Sequence, residues 1–294
     1  MKESASRIID MHLHKSGTLE DPAGIIEHLN QNNVDVGFLI PNPLAPGKGL
    51  KEEKATECLK KWTGGPNNNR IVRIVSSWTR PVICGMSVKE PDNKSVVAAV
   101  EQHSDRLIAW IWVNPQKEQK QILGEVESLL KNPNAAGSKM HFGIFPVKIS
   151  NETIREITDL TGKANKAMLI DVGTNPGNMK GFDEFAKTHP AIPIIAAHLG
   201  SFLPEVVDSA RKYENVHLDM AGYPITPANF PKILRKIPAE KIVFGSDATI
   251  GGSIADSLRN LDSLKLTPRE KELILAGNII AIVPIAGKLL ENQK

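Results

Sequence analysis

The sequence predicts an α/β fold: one (β/α)8 TIM barrel with an insertion between strands two and three. Three observations predict it. Short runs rich in Val, Ile and Leu recur along the chain, longer amphipathic stretches separate them, and the runs number eight, which is the count that closes a parallel barrel. A length of 294 residues suits this fold as a single domain, so residues 1–294 are read as one unit.

The eight expected strands are Arg7 to His14, Val34 to Ile40, Leu107 to Val113, Ala136 to Phe142, Ala167 to Val172, Pro193 to His198, Asn215 to Met220 and Lys241 to Ser246. Helix-start chemistry falls between them. Asp21-Pro22 and Thr226-Pro227 each put a capping side chain before a Pro at the first helical position, and Thr267-Pro268-Arg269-Glu270 adds the Glu of a capping box. The apolar stretch Ile279 to Leu290 is expected to pack as a closing helix. The segment from Pro41 to Asp105 breaks the rhythm, because one helix and two loops need far fewer residues. Residues 41–105 are therefore read as an insertion on the catalytic face, with a lid or pocket wall and a surface embellishment as the two readings. Arg70, Arg73 and Arg80 within it have the chemistry to clamp a substrate carboxylate, against a plain surface role.

Bulk composition narrows the partners. The net charge is only +3 and the Lys and Arg residues are interleaved with Asp and Glu, which argues against nucleic acid. Cys58 and Cys84 are the only cysteines and have no CxxC spacing, so neither a disulfide framework nor a thiolate metal site is expected and a reducing cytoplasm fits. No apolar run approaches a membrane span, and the strand-like run starting at Arg7 leaves no room for a secretory leader. A soluble cytoplasmic protein acting on a small molecule is the expectation.

Chemistry collects at strand ends. In Ile8-Ile9-Asp10-Met11-His12-Leu13-His14, strand alternation would put Asp10, His12 and His14 on one face, so that two imidazoles point into the barrel at the tip where barrel enzymes keep their sites. Neutral imidazole is the commonest metal ligand. The run from Pro193 ends on His198 before Gly200, and the run from Lys241 ends on Asp247; a lone ionisable group closing a buried strand is costly unless it is paired, metal-bound or at an open mouth. Lys139 and His141 share a face of strand four. His28, His103 and His189 are assigned to helices or helix ends. His217 and Asp219 alternate on strand seven below the site, and Trp110 and Trp112 are read as barrel filling.

This ordered set resembles the amidohydrolase superfamily, nearest the amidohydrolase-2 branch that includes aminocarboxymuconate-semialdehyde decarboxylase. The resemblance rests on Ile9-Asp10-x-His12-x-His14, Gly137-x-Lys139-x-His141, His198-x-Gly200 and Phe244-Gly245-Ser246-Asp247, and it spans Ile8 to Asn278. It implies one divalent metal, usually zinc, held by His12, His14 and Asp247, with His198 assisting catalysis or, as a second reading, adding a further ligand. Lys139 is implied to stay unmodified rather than carry a bridging carbamate, and related enzymes often form homodimers. The chain departs from the pattern where the branch has a strand-five His, since Leu169-Ile170-Asp171-Val172-Gly173 puts Asp171 there. Three readings follow: Asp171 is an oxygen ligand that shifts preference towards Mn, it pairs with Lys139, or the site works without metal. In the first two, Asp247, His198 and Lys139 serve hydrolysis of an amide, ester or lactone. The alternatives are a nonhydrolytic decarboxylase on the same residues and a metal-free binding protein.

Overall fold

The computed structural model describes residues 6–42, 44–46, 86–172, 176–222 and 234–293. The expected eight-strand sheet is present, all parallel, in the order β1 (Ile9–Lys15), β2 (Val36–Pro41), β5 (Leu107–Trp112), β6 (Ala135–His141), β7 (Ala167–Asp171), β8 (Ile194–Ala196), β9 (Val216–Asp219) and β10 (Ile242–Val243). The skipped labels belong to a two-stranded antiparallel pair, β3 (Leu44–Pro46) with β4 (Met86–Val88). The sheet closes into a barrel because the chain beyond β10 runs alongside β1: Met11 N donates to Phe244 O at 3.1 Å, Asp247 N to His12 O at 2.8 Å and His14 N to Ala248 O at 2.6 Å. These bonds tie the two ends of the sheet together at the strand-one histidines.

Helices cover the outside. α1 (Pro22–Gln31) starts at Asp21, whose side chain accepts from Gly24 N with Pro22 at the first position, as its sequence requires. α2 (Asn93–Gln102) packs on β2 and β5, so the last part of the 41–105 stretch is an ordinary barrel helix. α3 (Gln119–Leu130) and α4 (Glu152–Lys163) follow, then α5 (Phe182–Thr188), α6 (Pro204–Lys212) and α7 (Ile254–Asp262). The Thr267–Glu270 capping box opens α8 (Pro268–Glu272). Residues 47–85 and 223–233 lie outside the described residues, and with them the lid reading, Arg70, Arg73 and Arg80, both cysteines and the Thr226-Pro227 start.

Two expectations need correction. The closing stretch is not one helix: α9 (Asn278–Ile282) ends at Val283, and α10 (Pro284–Glu291) turns away, the helical arms lying 116° apart. Pro284 lacks the N–H that would continue the first helix and instead begins the second. The bend lets Ile279, Ile282, Ala286 and Leu289 join the cluster of Ile9, Met11, Phe38 and Trp110 that fills the barrel. Asp10 also does not share a face with His12 and His14. The register advances from Asp10 opposite Gly37 to Leu13 opposite Leu39, so β1 carries one extra residue between them. That bulge turns Asp10 to the other side, where its Oδ1 accepts from His12 N (3.1 Å) and Ser246 N (3.0 Å) and pins β1 to the segment after β10. Among the described residues no single helix is long and apolar enough to cross a membrane.

His28 lies in α1, and His103 and His189 at the ends of α2 and α5, as expected. His217 on β9 is pushed down to about 4, by burial first and by the Lys241 charge second. A histidine depressed in the folded chain supports stability above the unfolded value near 6.5 and loses it as pH falls towards 4. The gap corresponds to up to about 3 kcal/mol for this one residue. Thermal melts are expected to show His217→Gln removing part of the loss of stability between pH 6.5 and 4; an unchanged slope in the variant would contradict the assignment.

Candidate metal centre

The C-terminal ends of the barrel strands bring a group of ionisable side chains to one place. β1 supplies His12 and His14, both buried, with ring centroids 5.3 Å apart. Asp247 arrives from the segment after β10 in a left-handed conformation (φ 59°), its N–H bonded to His12 O. Its carboxylate is seated by close approach of the chain: a Cβ on Gly251 would lie 1.8 Å from Asp247 Oδ2, so any side chain there would displace the carboxylate from its seat. His12, His14 and Asp247 offer ligand atoms that all lie within 4.8 Å of one another.

These atoms fit a metal ion. Four ligands at about 2.1 Å in a tetrahedron lie about 3.4 Å apart, and Asp247 Oδ1 is 3.3 Å from His14 Nε2 and 3.7 Å from His12 Nε2. The tautomer of His12 is set from behind. Its Nδ1–H donates to Asp219 Oδ2 at 2.7 Å, which leaves the Nε2 lone pair facing the centre. Burial, then the neighbouring Lys139 charge, holds both His12 and His14 below the ordinary imidazole range, in the neutral form that a metal requires. Burial opposes ionisation of Asp247, but the hydrogen bond from His14 and the His198 charge bring it down to about 2. The donor set is two neutral imidazoles and one carboxylate.

Asp171 sits beside this triad at the end of β7, with its Oδ2 3.1 Å from His198 Nε2 and 3.1 Å from His141 Nε2. His141 Nδ1 accepts from Gly143 N and Ile144 N, so its Nε2 carries the proton that faces Asp171. His198 Nδ1 donates to Ala221 O at 2.8 Å, and its Nε2 then needs a second proton to donate to Asp171. The directions agree: burial opposes, but Asp171 holds His198 well above the imidazole range, and His141 and His198 hold Asp171 well below the carboxylate range. Burial brings His141 down to about 4. The outer pair, His141 and His198, is the more open part of the group, with side chains 21% and 13% exposed.

Asp219, expected below the site, and Trp112, expected to fill the barrel, are both part of the centre. Asp219 accepts from His12 and, through Oδ1, from His198 N (2.9 Å) and Ala221 N (2.8 Å). The signal for it was the one that marked Asp247, a buried strand ending on a carboxylate. Trp112 stacks on His141 (centroids 5.7 Å, 12° between planes) and touches His14, with Lys139 Nζ 4.6 Å from its ring centroid. The expected strand to His198 stops at Ala196. His198 to Phe202 are left-handed throughout (φ 55° at His198), and Asp219 takes the His198 N–H that a strand neighbour would otherwise receive.

The barrel thus carries at its mouth a three-residue group that could hold a metal ion. The amidohydrolase family model (Amidohydro_2) matches residues 9–285, and the chain belongs to this family. No curated protein matches it by sequence. Among solved structures it is similar to 4-oxalomesaconate hydratase from Rhodopseudomonas palustris (TM-score 0.66, 15% identity, 97% of this chain and 98% of that one). It is similar also to a probable 2-pyrone-4,6-dicarboxylic acid hydrolase from Acinetobacter baumannii with citric acid bound (0.62, 14%, 95% and 99%). A third is 5-carboxyvanillate decarboxylase from Novosphingobium aromaticivorans complexed with manganese and 4-hydroxy-3-methoxy-5-nitrobenzoic acid (0.64, 12%, 97% and 97%). At these identities the likeness is one of fold, and the three reactions differ.

Gly251→Ala is expected to fold but to swing Asp247 away, lowering divalent-ion affinity by about 10- to 100-fold in calorimetric titration. Unchanged affinity would show that Asp247 does not need this seat.

Proposed function

We propose that the chain is a metal-dependent hydrolase, one catalytic unit over residues 1–294, that cleaves an amide, ester or lactone of a small molecule. The observation that carries this reading is the convergence of His12, His14 and Asp247 within 4.8 Å, with the imidazoles neutral and the carboxylate anionic. A single divalent ion held there, with zinc the best fit to two imidazoles and a carboxylate and manganese second, would polarise a carbonyl and bring water's pKa towards about 7.

The chain's own residues supply the rest. Asp247, ionised at neutral pH, accepts a proton from the attacking water on its free carboxylate face and returns it to the leaving group. His198 stands at the mouth as an imidazolium fixed between Ala221 O and Asp171, a preorganised positive charge for the oxygen on which negative charge develops. Lys139 adds a second positive charge from below. Trp112 walls the side next to His14 and His141 and keeps bulk water from that flank.

A second reading, decarboxylation, is favoured by one observation: two basic side chains, Lys139 with its Nζ 3.0 Å from His12 Nε2 and His198 with its ring centroid 5.3 Å from that of His12, flank the triad and suit a substrate carboxylate. Assays on small esters and lactones, alongside carbon dioxide release from small aromatic or unsaturated acids, separate the two. In either case removal of metal by a chelator is expected to abolish turnover, and restored zinc or manganese to recover it. Asp247→Asn is expected to keep its fold and lose at least about a hundredfold in kcat. Full activity in chelator would overturn the proposal.

A further inference from the structure

Lys139 is the buried group that the triad does not explain. It projects from β6 into the centre with no exposed surface, and its Nζ lies 3.0 Å from His12 Nε2. Because the His12 Nδ1–H is committed to Asp219, Nε2 has only a lone pair to offer, and the ammonium donates to it. This is the same lone pair that a metal bound with His14 and Asp247 would take. One imidazole nitrogen cannot serve both.

We propose that Lys139 is an internal competitor of the metal: its ammonium occupies His12 Nε2 in the metal-free chain, so that metal entry exchanges one cation for another. The proposal rests on the reading of His12, His14 and Asp247 as a metal centre. Charge balance supports it. Burial lowers the Lys139 ammonium from its ordinary range while Asp171, Asp247 and Asp219 act to keep it charged, and a cluster of buried carboxylates without a cation is strongly disfavoured. The ammonium supplies that cation when no metal is present. When a dication takes over, the ammonium is repelled at close range in a poorly screened site and must leave Nε2. The Trp112 face, 4.6 Å from Nζ, offers a seat on the side towards His141 and Asp171, and from there Lys139 is free to serve the substrate. Metal-free and metal-loaded chains are thus two arrangements of one lysine.

The test uses full-length protein stripped by chelator and titrated with zinc chloride or manganese chloride in a calorimeter, with thermal melts beside it. Lys139→Met keeps the stem and removes the charge. It is expected to bind the ion at least about tenfold more tightly than the unmodified chain, to melt lower without metal and to gain more on metal addition. Lys139→Arg, which keeps the charge, is expected to bind like the unmodified chain. If the Met variant does not fold without metal, Lys139→Gln replaces it with the same expectation. Equal or weaker binding by the neutral variant, with the unmodified chain binding normally, overturns the proposal and leaves the metal centre standing. Failure of every form to bind overturns both.

Discussion

The buried carboxylate of Asp219 is the constraint on which the centre depends. It has no contact with solvent and spends its oxygens on three donors: the His12 ring and the His198 backbone from two other parts of the barrel, and Ala221 N two residues along its own segment. The first of these fixes the His12 tautomer, and with it the direction of the lone pair at the mouth. The second holds the start of a run of left-handed residues that carries the His198 ring to Asp171. A carboxylate with these partners is costly to bury and costlier to remove, because each donor would be left unpaired. One side chain on β9 therefore positions a ligand and an imidazolium at the same time.

Barrel closure does similar service for the other side. The sheet's two edges meet where Phe244 to Ala248 run beside β1, and the backbone bonds there involve both histidine positions and Asp247 itself. The bulge in β1 gives up one regular pairing, and in return Asp10 faces outward to hold the seam while His12 and His14 face inward. Burial raises Asp10 to about 7, a sign of how dry that seam is. The ligand set is rigid because it is built where the fold closes on itself, which is the condition for a metal site that needs little reordering on loading.

Much of this was legible in the sequence, and for physical reasons. All eight strands were found because parallel strands buried on both faces read as continuous apolar runs, and the capping chemistry at Asp21 and Thr267 marks helix starts by local hydrogen bonding alone. His12, His14 and Asp247 stood out as ionisable groups closing such runs. What the sequence hid is set by nonlocal geometry. Period-two alternation put Asp10 with the histidines, and only pairing against β2 reveals the extra residue that turns it away. The break at Val283 follows from Pro284, a local signal outweighed by the apolar composition around it. Asp171 is the clearest case: its chemistry allowed a ligand, a lysine partner or neither, and its place between His141 and His198 depends on three strands meeting. Trp112 looked like filling because barrel interiors are full of such residues, and Asp219 was placed only below the site; the importance of both lies in what they touch.

The central claim is that one divalent ion binds through His12 and His14 by their Nε2 atoms, with the outer imidazoles excluded. Nitrogen-15 NMR of the histidine rings during zinc titration of the stripped protein tests it most directly. The account predicts that at one equivalent the Nε2 signals of His12 and His14 shift together, with Nδ1 of His12 still protonated against Asp219, while His141 and His198 keep their ring nitrogens unligated. Metal-induced shifts at the ring nitrogens of His141 or His198, or a His12 that carries its proton on Nε2, would contradict it.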